Sequence, residues 1–297
     1  MKILQTFAKL EDSKSPYLHG EKRNNKKEGY YYLNFYSFLL SYATLKKYYG
    51  SVTKICNQAA YDSLVKYVPY DEVVIRENQN DFILWNKYKL DMMRTIGDDF
   101  IHVDSDVFIF NDFYRDFIDG KIDVLVQDVV SREKNYVSRG FIYENLDFFA
   151  DTKIFTKSYD GQSFSCGTVG ITKKVQEYYF AGIDVFYDAI LKVGAENINW
   201  INLILEETLL YLLVIENDFT YDYIIPQELV DKYDIMYAGD KLGYVHVWAH
   251  NKYKRSIVRQ IRTKLIHEFP EYNDWLFKFE HDVFSKMDLF QHFIVND

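Results

Sequence analysis

The chain has 297 residues, with 44 acidic and 35 basic side chains and a formal net charge of −9. This negative surplus argues against a broad nucleic-acid-binding surface, because phosphate backbones are bound by clustered Lys and Arg. Hydrophobic residues make up 48% of the chain and charged residues 27%, as in soluble globular proteins, and no apolar run is long enough to cross a bilayer. The two cysteines, Cys56 and Cys166, follow no metal-binding spacing, so we expect free thiols and a cytoplasmic location, with peripheral membrane docking as an alternative.

The first half of the chain alternates predicted strands and helices. In chain order, we predict strands at 2–7, 51–57, 71–75, 100–104 and 123–130, and helices at 33–50, 58–67 and 81–97. Apolar residues at helical spacing support the first and last of these helices, which Gly50 and Gly97 terminate. This alternation predicts an α/β fold with a mainly parallel central sheet flanked by helices.

The second half contains longer helical segments. We predict a strand with a Gly-bearing turn at 162–171, helices at 174–194 and 199–217, and a strand running into a polar loop at 244–253. The last stretch is helical and interrupted at Pro270. We therefore expect a catalytic domain over residues 1–255 and a C-terminal helical extension over residues 256–297.

Two aspartates, Asp104 and Asp106, stand between the apolar runs 100–103 and 107–110. In an open α/β sheet, ligands bind beyond the carboxyl ends of the strands, where Asp104 falls. Residues two apart in extended chain face the same side at about 6–7 Å, so both carboxylates can turn toward one cation. Paired carboxylates repel each other without a cation, and Mg²⁺ or Mn²⁺ accepts such oxygen ligands. The alternative is a turn with capping aspartates, which the apolar flanks argue against.

Three segments in this order resemble glycosyltransferases with the GT-A fold. "FIHVDSDVFIF" resembles their Asp-x-Asp segment, and "SCGTVGI" at 165–171 resembles the strand that lines the donor sugar. "HVWAHNK" at 246–252 resembles the His-x-x-Gly-x-x-Lys segment of family 8 transferases, with Ala249 in place of the glycine. The resemblance covers residues 1 to about 255 and implies a GT-A-like, Rossmann-type fold. It also implies metal-dependent transfer of a sugar from a nucleoside diphosphate sugar, such as a UDP-sugar, to a glycan or another hydroxyl acceptor.

The same resemblance implies roles for the motif residues. Asp104, Asp106 and His246 would hold Mn²⁺ or Mg²⁺, with His250 as an alternative third ligand. Lys252 would neutralise a diphosphate oxygen. A histidine in such a strand is also consistent with an ordinary core residue, and a lysine with a solvated surface side chain.

Further candidates lie outside the three segments or within the donor strand. Gln127 and Asp128 end the strand at 123–130, and Asp128 is predicted to contact donor sugar hydroxyls. Glu207 is predicted to orient or deprotonate the acceptor, although one carboxylate of the Glu206–Glu207 pair is also expected simply to face the polar side of its helix. The remaining candidates for substrate binding are Thr6, Lys89, Cys166 and Gly167.

Two other functions fit parts of the sequence. In a phosphatase of the haloacid-dehalogenase type, Asp104 would be a nucleophile and Asp106 a general acid. That fold usually carries its motif on the first strand, whereas several strand–helix units precede it here. A catalytically degenerate nucleotide- or sugar-binding protein is the second alternative, because Ala249 and the Tyr253–Lys254 pair depart from the family 8 pattern.

Overall fold

The structure is a computed structural model that describes residues 1–9, 27–77, 85–131, 162–193, 202–232, 235–247 and 249–283. The elements are, in chain order, β1 (Lys2–Phe7), α1 (Lys27–Tyr49), β2 (Thr53–Cys56), α2 (Gln58–Ser63), a 3₁₀ helix (Val65–Tyr67), β3 (Glu72–Ile75), α3 (Trp85–Arg94), β4 (Phe100–Val103), β5 (Val107–Ile109), α4 (Arg115–Ile118), β6 (Val124–Ser131), β7 (Gln162–Ile171), α5 (Lys173–Val193), a π-helical segment (Ile204–Thr208), α6 (Leu209–Glu216), β8 (Tyr221–Tyr223), α7 (Gln227–Lys232), α8 (Ile235–Leu242), β9 (Tyr244–His246), a 3₁₀ helix (Ala249–Tyr253), α9 (Arg255–Glu268), a 3₁₀ helix (Pro270–Tyr272) and α10 (Asn273–Asp282).

The fold is α/β, as predicted. The main sheet has seven strands, and a separate two-stranded sheet pairs β5 with β9. The pairs β1/β2, β2/β3 and β6/β8 are parallel, whereas β4/β7 and β6/β7 are antiparallel. The prediction of a mainly parallel central sheet flanked by helices is therefore confirmed.

The chain forms two compact units. The first unit comprises Ile3–Asn78, Asp104–Asp112 and Gly239–Asp297, and the second comprises Met1–Lys2, Gln79–Val103 and Phe113–Ala238. The predicted boundary at residue 255 stays a prediction.

In the first unit, β2 lies between β1 and β3, and all four of its side chains are buried. Helix α1 is buried along most of its length, because it packs against β5 and against α9. Helix α10 also reaches this core, where the ring of Phe279 stacks on that of Phe35 at a centroid distance of 3.8 Å. The helices after residue 255 thus share a core with α1.

In the second unit, the strand order is β4-β7-β6-β8. Strand β7 runs unbroken through residues 162–171, and nine of its ten residues are buried. The turn predicted within this segment is therefore wrong, because each glycine there lies in extended chain. Helix α6 packs on α5, and the π-helical segment replaces part of the regular helix predicted over 199–217.

None of the helices in the described ranges is both long enough and apolar enough to cross a membrane.

Candidate metal centre

The loop of Asp104, Ser105 and Asp106 follows β4 directly and leads into β5. Two main-chain hydrogen bonds hold it. Val107 N donates to Asp104 O at 3.0 Å, and Val247 N donates to Asp106 O at 2.9 Å. The loop is therefore anchored at both ends.

Strand pairing brings the histidine to the aspartates. In the antiparallel pair of β5 and β9, Val107 lies opposite His246. The segment after β9 continues this pairing, because Val247 donates the hydrogen bond to Asp106. Residues that are far apart in the sequence thus meet at one end of the two-stranded sheet.

Asp104, Asp106 and His246 form one cluster. One carboxylate oxygen of each aspartate and one imidazole nitrogen all lie within 4.8 Å of one another, and all three side chains are half-buried. His246 Nε2 lies 3.5 Å from Asp106 Oδ1. Two carboxylates and one imidazole fit a divalent cation such as Mn²⁺, for which oxygen donors dominate and one nitrogen is acceptable. The structure therefore brings together the three predicted ligands, although their binding of a metal stays a prediction.

Lys252 belongs to the same cluster. Its Nζ donates to Asp106 Oδ2 at 2.9 Å. Burial disfavours the charged carboxylate of Asp106, but Lys252 and His246 more than offset this effect and hold the pKa of Asp106 well below its usual range. Burial also disfavours the charged ammonium of Lys252, yet Asp106 outweighs it and raises the pKa of Lys252. Both groups are therefore ionised at neutral pH.

The 3₁₀ helix Ala249–Tyr253 positions Lys252. The Tyr253 hydroxyl donates to Asn34 Oδ1 of α1 at 3.2 Å, which fixes this helix next to the cluster. Tyr253 stands where the family 8 pattern has another residue, so the structure gives this departure a packing role. The side chain of His250, the alternative third ligand, lies outside the described part of the structure.

Lys54 contacts this loop and was not predicted as a site residue from the sequence. It is 0% exposed in β2, and its Nζ donates to Ser105 Oγ at 2.7 Å. Burial lowers the pKa of Lys54 to about 7, although the nearby Cys56, Asp104 and Asp106 partly oppose this shift. A lysine within "TKIC", a short strand in an apolar context, is a signal that could have identified it.

Thr6 is the remaining candidate in the first unit. It is half-buried near the end of β1 and lies opposite Ile55 of β2. Its predicted role in substrate binding stays a prediction.

Three of the other candidates lie in or next to one buried ion pair in the second unit. Lys89 Nζ is bonded to Glu206 Oε1, and both side chains are buried. Cys166 Sγ donates to the main-chain oxygen of Glu206 at 3.6 Å. The adjacent Glu207 is half-buried on the π-helical segment. Lys89 is thus held within its own unit by Glu206, and the nucleotide, sugar and acceptor roles of Lys89, Cys166 and Glu207 stay predictions.

Gln127 and Asp128 lie at an irregularity of β6. The register with β7 shifts between Val126 and Asp128, and both candidate side chains are buried. Gln127 Nε2 lies 3.5 Å from Asp128 Oδ2. Gly167 is buried in the neighbouring β7. The structure places these three candidates on adjacent strands, and their roles in donor binding stay predictions.

The fold and the cluster together define an α/β protein with a candidate divalent-metal centre. The chain belongs to DUF6734, a family of unknown function, whose model matches residues 1–279. No curated protein matches the sequence.

Several solved structures resemble the chain, at low sequence identity. Mouse xyloside xylosyltransferase 1 in its apo form is 9% identical with a TM-score of 0.38, over 82% of this chain and 96% of that one. The glycosyltransferase GlyE of Streptococcus pneumoniae TIGR4 is 10% identical with a TM-score of 0.46, over 93% of this chain and 63% of that one. The galactosyltransferase LgtC, in complex with donor and acceptor sugar analogues, is 10% identical with a TM-score of 0.40, over 83% of this chain and 86% of that one. Such scores are too low to support an argument about function.

Proposed function

We propose that this protein is a metal-dependent glycosyltransferase that moves a sugar from a nucleoside diphosphate sugar, such as a UDP-sugar, to a glycan or another hydroxyl acceptor. The observation that carries the proposal is the cluster of Asp104, Asp106 and His246, whose ligand atoms lie within 4.8 Å of one another. The order of its motifs along the chain, which resembles that of GT-A glycosyltransferases, supports the same function.

The residues of the cluster have different proposed roles. Asp104, Asp106 and His246 would hold Mn²⁺ or Mg²⁺, which would supply positive charge to a departing diphosphate. Lys252 adds a second positive charge and, through its hydrogen bond to Asp106, is already held beside the centre. Because charge grows on the diphosphate as the glycosidic bond breaks, cations fixed at that place stabilise the transition state more than the ground state.

The first test is metal and nucleotide binding by the full chain. We expect Mn²⁺ to raise the melting temperature, and UDP or a UDP-sugar to raise it further only when Mn²⁺ is present, since a ligand stabilises the state that binds it. We also expect hydrolysis or transfer of a UDP-sugar that EDTA abolishes. A wild-type chain that binds neither Mn²⁺ nor nucleotide would contradict the proposal.

Asp106→Asn is the decisive variant. It removes one ligand charge, so Mn²⁺ affinity should fall by at least about tenfold and metal-dependent turnover should be lost. The matched control is Asp116→Asn, which makes the same chemical change at an exposed acid that pairs with Lys121. Full activity of Asp106→Asn in EDTA would remove the metal from the mechanism.

The same assays separate the alternative functions. Rapid hydrolysis of p-nitrophenyl phosphate would favour the phosphatase. Tight UDP binding without turnover over a broad panel of acceptors would favour a degenerate binding protein.

We also propose a cytoplasmic location, where nucleoside diphosphate sugars would be available. Cys56 and Cys166 are both buried and are not joined in a disulfide, which agrees with a reducing compartment.

A further inference from the structure

Lys54 is a buried lysine to which the proposed function assigns no task. Its side chain is 0% exposed at the centre of β2. Burying an ammonium group is costly unless other groups compensate for its lost hydration. A lysine in this position therefore calls for a specific reason.

The surroundings of Lys54 supply part of that compensation. Its Nζ lies 4.2, 5.4 and 5.7 Å from the ring centroids of Phe38, Tyr70 and Phe7. Ring faces attract cations, and the attraction is stronger where water is excluded.

The one hydrogen bond described for Lys54 goes to the metal loop. Its Nζ donates to Ser105 Oγ at 2.7 Å. Ser105 is 9% exposed and is the single residue between the two aspartates. The main-chain hydrogen bonds of Asp104 and Asp106 fix the ends of the loop, and the bond from Lys54 fixes its middle.

We propose that Lys54 is a positioning residue that acts through Ser105 to hold the carboxylates of Asp104 and Asp106 converged for a divalent cation. The inference rests on the proposed metal centre. Two carboxylates within 4.8 Å repel each other, and a loop that is free to rotate at its middle residue would let them separate. The ammonium also repels a metal ion, so the Mn²⁺ affinity of Lys54→Met shows which effect is larger, and we expect the ordering of the loop to be the larger one.

The test is a calorimetric titration of the full-length chain with Mn²⁺. Groups that orient metal ligands typically contribute about 10–100-fold to metal affinity, so Ser105→Ala and Lys54→Met should each bind Mn²⁺ about tenfold more weakly than wild type. Ser105→Thr keeps the hydroxyl and is the conservative control, so it should bind within about twofold of wild type.

A double-mutant cycle separates positioning from a general effect on the fold. If Lys54 acts through Ser105, the double variant Lys54→Met with Ser105→Ala binds Mn²⁺ no more weakly than the weaker single variant. If the losses of Mn²⁺ affinity in the two single variants instead multiply in the double variant, Lys54 does not act through Ser105. Melting temperatures measured without metal show whether each variant is folded.

The outcomes distinguish this inference from the proposed function. No Mn²⁺ binding by wild type contradicts the metal centre itself. Wild-type binding with unchanged affinity in Ser105→Ala, or tighter binding in Lys54→Met, overturns the positioning role and leaves the metal centre standing. Should Lys54→Met fail to fold, the pair Ser105→Ala and Ser105→Thr still decides, because both keep Lys54.

Discussion

Asp106 contacts both His246 and Lys252 in the candidate centre. One of its carboxylate oxygens lies 3.5 Å from His246 Nε2 and the other 2.9 Å from Lys252 Nζ. It therefore links a candidate metal ligand to a cation that is predicted to bind a phosphate. The roles of His246 and Lys252 can be distinguished experimentally, because His246 is predicted to bind metal and Lys252 to bind nucleotide.

We expect His246→Ala to bind Mn²⁺ at least about tenfold more weakly, because it loses a ligand. We expect Lys252→Met to change Mn²⁺ affinity less than His246→Ala does, because it removes no ligand, and to lose mainly the affinity for UDP once Mn²⁺ is present. Calorimetry with Mn²⁺ and then UDP measures both. Unchanged Mn²⁺ affinity in His246→Ala would remove this histidine from the site.

Lys54 makes a separate prediction about pH. Burial lowers its pKa from 10.5 to about 7 in the folded protein. Between these values the unfolded chain binds more protons than the folded one, so the free energy of unfolding rises with pH. Relative to Lys54→Met, wild type should gain about 1 kcal/mol per pH unit from pH 7 toward pH 10. Urea unfolding at pH 7, 8 and 9 measures this difference, and parallel curves for the two proteins would refute it.

At the scale of elements, the pairing of β5 with β9 builds the cluster. Gly243 directly precedes β9 and has a left-handed conformation with φ +83°. Its carbonyl accepts a hydrogen bond from Phe110 N at 2.7 Å, and an added Cβ would lie 3.4 Å from Phe110 Cβ. A change at Gly243 should therefore reach His246 through the strand.

We expect Gly243→Ala to lose about 1–2 kcal/mol of stability, because an L-residue is strained at positive φ, and also to bind Mn²⁺ more weakly. Gly50→Ala is the matched control. Gly50 ends α1 at φ +79°, and an added Cβ there would meet no atom within 4 Å. Both variants should lose similar stability in chemical denaturation. Equal Mn²⁺ affinities in the two variants would show that β9 does not transmit the strain.

The type of an element could be predicted from the sequence where its pattern is compatible with only one kind of secondary structure. The alternation of strands and helices predicted the α/β class, and Pro270 marked the break between α9 and α10. The direction of β7 did not follow, because a strand buried on both faces reads the same whether its neighbours run parallel or antiparallel. The pairing of β5 with β9 was equally hidden, since each strand has three residues and its partner is distant in the sequence.

Residues of the candidate site could be predicted where they belong to a recognisable sequence motif. Asp104 and Asp106 stood out because both carboxylates interrupt apolar chain, and His246 and Lys252 came from the family resemblance alone. Lys54 carries no motif, and its relation to Ser105 depends on which strand lies behind the loop. The pairing of Lys89 with Glu206 also depends on tertiary packing.

At the scale of the whole molecule, the C-terminal helices are part of the core of the first unit. Glu280 on α10 accepts hydrogen bonds from the Tyr36 hydroxyl of α1 at 2.9 Å and from Arg262 Nε of α9 at 2.7 Å. One buried carboxylate thus joins three helices.

We expect Glu280→Gln to destabilise the protein by about 2 kcal/mol, because it removes a buried charge that two neighbours need. Glu268→Gln is the control, since Glu268 pairs with Lys264 on the exposed side of α9 and should contribute at most about 0.5 kcal/mol. Denaturant unfolding compares the two variants. Equal losses would mean that the carboxylate of Glu280 is not a structural link.

An ion bound by Asp104, Asp106 and His246 would bridge two segments of chain that also meet through the short β5/β9 ladder and the ion pair of Lys252 with Asp106. Pulling the C-terminal segment off β5 would then require breaking coordinate bonds as well as amide contacts, and the ion would leave as the segment peels away. By reciprocity, whatever stabilises the pairing of β5 with the C-terminal segment would also raise the affinity for the ion. Deuterium uptake at the Val247 amide would consequently slow when the ion is present.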